Sequence, residues 1–335
     1  MFEEHNVSLK AFNTFGIDVS TQKLIRIFSV EDVLSFTHKE EKSFGIVGGG
    51  SNILLTKDQE CVLKNEIKGI QILNENEYYV TVRAGAGEVW HQLVLWSLSH
   101  HLGGLENLSL IPGSVGAAPM QNIGAYGVEQ ESVFVGLDAV DLQTGTIVHF
   151  DKEDCKFGYR ESIFKHDLKR RYFITHVSYR LSKKNHILHL EYGAIREVLR
   201  QHKIDNPDIT DVSNAVITIR KSKLPDPALI GNAGSFFKNP VISDSLFNRL
   251  ELQFPDIVSY RQNDGSIKIP AGWLIEKAGF KGLHKGNIGV HRDQALVLVN
   301  YGSGKGTDIL ALAREIQEKV LKMFNIELQP EVNIW

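Results

Sequence analysis

The sequence predicts an α+β protein of two or three domains. Three observations carry this expectation. At 335 residues the chain exceeds the usual size of a single hydrophobic core. Runs with strand-like alternation are interleaved with runs of helical spacing. A cluster of prolines and glycines in "RKSKLPDPALIGNAG" interrupts the pattern two thirds of the way along, as a domain boundary would.

Taken in order, "KLIRIFSV" reads as a strand, "VEDVLSFTHKE" as a helix, and "SFGIV" as a strand running into Gly48, Gly49 and Gly50. "QILNENEYYVTVRAGAG" suggests a hairpin with "NENE" near its turn. "EVWHQLVLWSLSHHLGG" has helical spacing and a glycine stop at Gly103. A long glycine-rich loop follows through Tyr126. "VFVGLDAVDLQTGTIVHF" reads as a second hairpin around Thr144 and Gly145, and "RYFITHVSYRLS" as a strand. A helix starts near Asp211 and ends at the proline-rich boundary. Beyond it come a strand over "SFFKN", a helix over "SDSLFNRLELQ", and "PAGWLIEKAG", with Pro270 in the first helical turn and Gly279 at its end. "QALVLVN" reads as a buried strand. "TDILALAREIQEKVLKMF" is an amphipathic helix opened by Thr307 or Asp308.

Composition narrows the function. With 42% hydrophobic and 23% charged residues the chain has a globular balance, and a formal net charge of −3 leaves no broad footprint for nucleic acid. Cys61 and Cys155 are far apart, without a CxxC or a histidine cluster, so neither a disulfide framework nor a metal site is expected. The polar, acidic start lacks a signal pattern, and no apolar run has the length of a membrane span. A cytoplasmic monomer without nucleic-acid or membrane partners is the expectation.

Three glycine clusters invite a nucleotide. "GGGSN" at 48–52 follows an apolar run, so its amides can converge on an anionic phosphate; a tight strand-to-strand turn explains it equally well. It is not a GxGxxG fingerprint, since Ile53 stands where the last glycine would be. "YGSGKGTD" at 301–308 lies where a P-loop belongs, but Gly306 follows Lys305 where a hydroxyl residue is required, and the segment reads as a flexible connector. The loop from Leu105 to Glu129 is the informative one. Its length and small side chains leave room for a large flat ligand and expose backbone groups to it.

"NTFGI", "GGGSNILL", "GLENLSLIPGSVGAAPMQNIGAYGVE", "FGYRESIFK", "KLPDP", "GNAGSFFKNP", "AGWLIEKAG", "VHRDQALVLVN" and "PEV" follow one another in this chain. In that order, over nearly the whole length, they resemble the UDP-N-acetylenolpyruvoylglucosamine reductase family of peptidoglycan synthesis, in its type I branch. The resemblance implies a PCMH/vanillyl-alcohol-oxidase-type FAD-binding fold of two subdomains plus a third α+β substrate-binding domain. The corresponding divisions are 1–68 and 69–222 for FAD, with 326–335 returning near the first, and 223–325 for the substrate. It also implies bound FAD, NADPH as co-substrate, and UDP-N-acetylglucosamine enolpyruvate as the molecule reduced.

Hydride addition to the end of an enolpyruvyl double bond pushes negative charge onto the neighbouring carbon, so the site needs a cation, an acidic hydrogen-bonding group and a proton donor. By motif these roles fall to Arg160 of "GYR", Glu331 of "PEV" and Ser235 of "GSFF". Glu331 would need burial to stay protonated near neutrality. FAD contacts are implied for Gly48, Gly49, Gly50, Ser51 and Asn52, then Pro112, Gly113, Ser114, Gly116 and Ala117, then Asn122, Gly124, Ala125 and Tyr126. Tyr192, Lys223, Asn232, Lys238 and Asn239 are implied at the substrate. The pattern departs at Asn333, in a region where the family often carries a basic residue. A flavin oxidase on the same fold and a non-catalytic UDP-sugar or flavin-binding module are the competing readings.

Overall fold

Adjacent apolar residues buried on both faces mark a parallel strand, and Ser20–Ile27 is one, with Leu24, Ile25 and Ile27 fully buried. It pairs in parallel with Gln59–Asn65, which pairs in parallel with Gly45–Val47. The helix between them, Val30–Thr37, starts where the Ser29 hydroxyl accepts from the Asp32 N–H at 3.2 Å and buries Val33 and Phe36. The computed structural model describes residues 1–38, 43–262 and 264–335, so Lys39 and Glu40, the end of the expected helix, lie outside the described residues.

The chain divides into two units. The first comprises Met1–Val7, Thr21–Gly50 and Gln59–Ser222, and the second Ser8–Ser20, Ser51–Asp58 and Lys223–Trp335. Besides the parallel sheet, the first unit contains an antiparallel sheet of five strands in the order Ile147–Asp151, Phe134–Asp141, Tyr172–Ser182, Tyr79–Gly85 and Ile70–Glu75. Both hairpins expected from the sequence are present in it, with Gly145 supplying a left-handed φ of +71° at one turn. Helix Trp90–Ser99 packs on this core through Trp90, which is fully buried and donates from Nε1 to the Leu108 carbonyl at 3.0 Å. The helix stops earlier than the glycine signal suggested: His101 takes the left-handed conformation at φ +54°, and Gly103 instead exchanges backbone hydrogen bonds with Ser182. Between 105 and 126 the backbone runs through short 3-10 turns, Glu106–Leu108, Val115–Ala117 and Pro119–Gln121.

The second unit is built on an antiparallel sheet ordered Gly231–Ser235, Val297–Asn300, Ile288–Val290 and His284–Lys285. The first strand covers "GNAGS" and shares Ser235 with the expected "SFFKN", after which Phe236 and Phe237 are buried and meet edge-to-face at 5.1 Å. Helix Gly306–Phe324 buries Ile309, Leu312, Ala313, Ile316, Val320 and Phe324, a stripe of 3.6-residue period. It begins ahead of the expected cap: the Asp308 carboxylate, already in the first turn, accepts from the Lys305 N–H at 3.4 Å. The C-terminal Asn333–Ile334 adds in parallel to Ile53–Leu54. Among the described residues no helix is long and apolar enough to cross a membrane.

Candidate active site

In the first unit, two glycine-rich segments meet backbone to backbone. A Cβ on Gly48 would stand 2.1 Å from Ser114 Oγ, and one on Gly49 would stand 2.7 Å from Gly113 Cα. Gly116 approaches Ala86 as tightly, at 2.5 Å, and its N–H donates to the Ala86 carbonyl at 2.8 Å. Any side chain here would force the segments apart. Lys64 Nζ donates to the Gly48 carbonyl at 2.7 Å, and burial lowers its pKa. The Ser114 hydroxyl is buried and has no hydrogen-bond partner among the described residues. A buried hydroxyl without a partner costs about 1–3 kcal/mol, which a ligand accepting from it would restore. Closely opposed small residues, a lysine beneath and an orphaned hydroxyl form a donor set that fits a flavin dinucleotide.

Farther along the same unit, "GYR" forms a two-residue turn closed by reciprocal backbone bonds between Gly158 and Glu161, both 3.1 Å. Arg160 sits at its tip with φ +57°. Its guanidinium donates to the Gly124 carbonyl and lies 4.0 Å from the Glu129 carboxylate. Asn122 fixes this geometry. Fully buried, it donates to Glu129 Oε2 at 2.9 Å and to the Gly158 carbonyl at 3.2 Å, while its Oδ1 accepts from the Glu131 N–H at 3.2 Å. Asn122, expected at the flavin, is thus occupied in tying the 122–131 hairpin to the arginine turn. Gly124 and Ala125 form one strand of that hairpin, and Tyr126 follows at φ +51°. Tyr192, at the N-cap of helix Gly193–Gln201, meets the Tyr126 ring edge-to-face at 5.1 Å.

In the second unit, the approach to Ser235 is a β-bulge. Asn232 pairs with Val299 and Ser235 with Val297, and Gly234 takes φ +69° in the irregular stretch between them. Asn232 holds the bulge: 3% exposed, it donates to the Pro225 and Ile230 carbonyls at 3.2 and 2.8 Å and accepts from the Gly234 N–H at 2.9 Å. Those bonds engage both amide hydrogens, so Asn232, expected at the substrate, supports Ser235 from within the fold. The C-terminal segment then runs beside the bulge. Glu331 N–H donates to the Phe236 carbonyl at 2.8 Å, and Lys238 N–H to the Gln329 carbonyl at 2.9 Å. Ser235 and Glu331 therefore lie on neighbouring segments, with Glu331 half-buried. Asn52 joins them by donating from Nδ2 to the Glu331 carbonyl at 3.3 Å, and its own carbonyl accepts from the Asn333 backbone and side chain at 3.0 and 3.1 Å. Ser51 and Asn52 fall in the second unit, directly after the Gly48–Gly50 turn of the first. Asn239 Oδ1 accepts from the Ala271 N–H at 2.9 Å, at the start of helix Ala271–Lys277, and Lys223 is exposed.

The sequence reading passed over Arg220. Helix Ile209–Lys223 buries Val212, Val216 and Ile219, and Arg220 follows Val216 by four positions, on the same face. A cation on an apolar stripe was the available signal.

The "YGSGKG" segment is pinned and not a free connector. Asn300 Oδ1 accepts from the Gly302 and Gly304 amides at 3.0 and 2.9 Å, and a Cβ on Gly306 would stand 1.8 Å from the Leu55 carbonyl oxygen.

Residues 226–335 match the family described as UDP-N-acetylenolpyruvoylglucosamine reductase, C-terminal domain, and residues 27–151 match FAD binding domain. The UDP-N-acetylenolpyruvoylglucosamine reductase of Flavobacterium johnsoniae is 48% identical over 334 residues, covering 99% of each chain. That of Pseudomonas aeruginosa is 49% identical over 337 residues, covering 99% of this chain and 98% of its own. Among solved structures, the reductase MurB from Thermus caldophilus superposes with a TM-score of 0.68 at 24% identity, covering 100% of both chains, and so shares the α+β, PCMH/vanillyl-alcohol-oxidase-type fold. On identity approaching one half across almost every residue, the chain belongs to the UDP-N-acetylenolpyruvoylglucosamine reductase family.

Proposed function

We propose that the protein is an FAD-dependent UDP-N-acetylmuramate dehydrogenase. It reduces the enolpyruvyl ether of UDP-N-acetylglucosamine enolpyruvate with NADPH, in the synthesis of peptidoglycan precursors. The observation that carries this reading is the near-half identity to reductases of that name over the whole chain. The orphaned Ser114 hydroxyl beside Gly48 supports it from the geometry. Bound FAD supplies the hydride relay between NADPH and the substrate's double bond.

The remaining work belongs to side chains of this protein. Hydride addition at the methylene carbon moves the π electrons toward the carbon bearing the carboxylate. Arg160 offers a guanidinium to that carboxylate and favours the charged, enolate-like form. Glu331 hydrogen-bonds the same group, and Ser235 delivers the proton that completes the lactyl ether. A serine is a weak acid in water, but the carbanionic partner is a strong base, so fixed placement outweighs bulk acidity. The bulge at Gly234, held by Asn232, supports such placement. Gly48, Gly49, Gly50, Pro112, Gly113, Ser114, Gly116, Ala117, Gly124, Ala125 and Tyr126 are assigned to FAD, with Ser51 and Asn52 flanking the glycine turn. Tyr192, Lys223, Lys238 and Asn239 are assigned to the sugar and diphosphate. Asn122 and Asn232 are assigned a supporting role, because their side chains are occupied within the fold. We further assign residues 1–68 and 69–222 to flavin binding and 223–325 to the substrate, and the protein to the cytoplasm as a monomer.

The test is a half-reaction. In Ser235→Ala, reduction of FAD by NADPH continues, while reoxidation by the enolpyruvyl sugar slows by about two to four orders of magnitude, the range of a general acid. Stopped-flow absorbance of the flavin separates the two steps. Unchanged reoxidation removes Ser235 from the mechanism.

A further inference from the structure

Arg220 is a cation without a carboxylate partner among the described residues, and its surroundings single it out. Part of its surface stays open to solvent, yet the side chain lies deep enough among protein atoms that desolvation lowers its pKa. Its Nε donates to the Leu110 carbonyl at 3.2 Å, and the Tyr126 phenol lies beside the guanidinium, where it acts on its charge. Both partners hold left-handed backbones, Leu110 at φ +58° and Tyr126 at φ +51°, and Arg160 does so at φ +57°. Non-glycine residues in this region cost about 1–3 kcal/mol each and persist where the surroundings over-determine them, characteristically around ligands. Asn107, which is buried, donates to the Tyr126 carbonyl at 3.1 Å and holds that strained residue in place.

The second guanidinium is close by. Arg160 bonds the Gly124 carbonyl two residues before Tyr126, and its positive charge is near enough to Arg220 to depress the latter's pKa further. Arg160 has the Glu129 carboxylate 4.0 Å away, whereas the partners of Arg220 are neutral, and an anion seated beside both guanidiniums is attracted by each of them. A purely structural role at this helix position would be filled as well by leucine or methionine, without the cost of desolvating a charge.

We infer that Arg220 is a second guanidinium for the substrate carboxylate, forming with Arg160 a two-arginine clamp in the first unit. This rests on the function proposed above. A planar carboxylate accepts two parallel bonds from an arginine fork, so the pair fixes both the orientation of the enolpyruvyl group and its charge.

The test compares two sugars on the oxidised holoenzyme without NADPH. Calorimetric titration with UDP-N-acetylglucosamine enolpyruvate and with UDP-N-acetylglucosamine, which carries the diphosphate but no carboxylate, gives a preference ratio. In Arg220→Met that ratio falls by about 10- to 100-fold, the range of a charge-assisted hydrogen-bond pair, while affinity for the unmodified sugar and FAD content are kept. An unchanged ratio overturns the inference. Equal weakening of both sugars, or loss of FAD with the ratio intact, overturns it too, since either places Arg220 elsewhere. Should Arg220→Met fail to fold, Arg220→Lys keeps the charge without the fork, and a several-fold drop in the ratio is expected; no drop counts against the clamp. A wild-type protein that shows neither the preference nor NADPH-driven reduction of the enolpyruvyl sugar removes the proposed function, and the inference with it.

Discussion

Two glycine-rich turns follow apolar strands in this protein, and they use glycine for different ends. At 48–50 the glycines let one backbone approach Gly113 and Ser114, and a buried hydroxyl is left without a partner among the described residues. At 301–306 the glycines let the chain wrap Asn300, whose side chain donates to the Phe15 carbonyl at 2.8 Å and accepts two amides. The second turn satisfies itself. Incomplete satisfaction, more than glycine content, therefore distinguishes a turn shaped for a ligand from one shaped for its own fold.

The contrast breaks if the self-satisfied turn proves dispensable. Asn300→Ala removes three hydrogen bonds at once, two of them buried, and leaves their partners unmatched, so a loss of about 3–5 kcal/mol in stability is expected, read by denaturant unfolding. FAD affinity per folded molecule should hold. Ser114→Ala should do the reverse: it deletes an unpartnered group, leaving stability level or slightly raised, while FAD affinity falls by about tenfold or more, measured by fluorescence titration of the released flavin. Loss of stability without loss of flavin would return Ser114 to a structural role.

The smallest effect concerns pH. The His91 Nδ1 accepts from the Leu110 N–H at 2.9 Å, just ahead of the Pro112–Ser114 turn. Burial, reinforced by the Arg220 and Lys221 charges, lowers the pKa of this imidazole. The folded state therefore favours neutral His91. As pH falls below the ordinary imidazole value of about 6.5, the unfolded chain takes up a proton that the folded chain resists, and stability declines on the acid side. His91→Asn should flatten that decline between about pH 6.5 and 5, whereas the Asn300 turn, tied by amides, should leave it unchanged.

Much of this was legible in one dimension. The hairpins at 70–85 and 134–151 follow from alternation around polar turns, and the helix over 306–324 follows from its apolar stripe. Misreadings arose where a distant residue decided the outcome. Gly103 looked like a helix stop, but His101 had already turned the chain and Gly103 was claimed by Ser182. "SFF" was read as the start of a strand, and it is instead where one ends, because the bulge places the strand on Gly231–Ser235, while Phe236 still donates to the Leu296 carbonyl.

What the sequence determined by itself is local and ordered: element periods, capping residues, the positions where only glycine fits, and a succession of motifs specific enough to indicate the family. Tertiary structure alone decided which polar groups were satisfied. Among the described residues it left Ser114 unpaired, brought Glu331 beside Phe236, and set Arg220 among protein atoms without a carboxylate. The physical reason is that desolvation and hydrogen-bond partnership depend on whatever lies within a few ångströms, and most of those neighbours come from far along the chain.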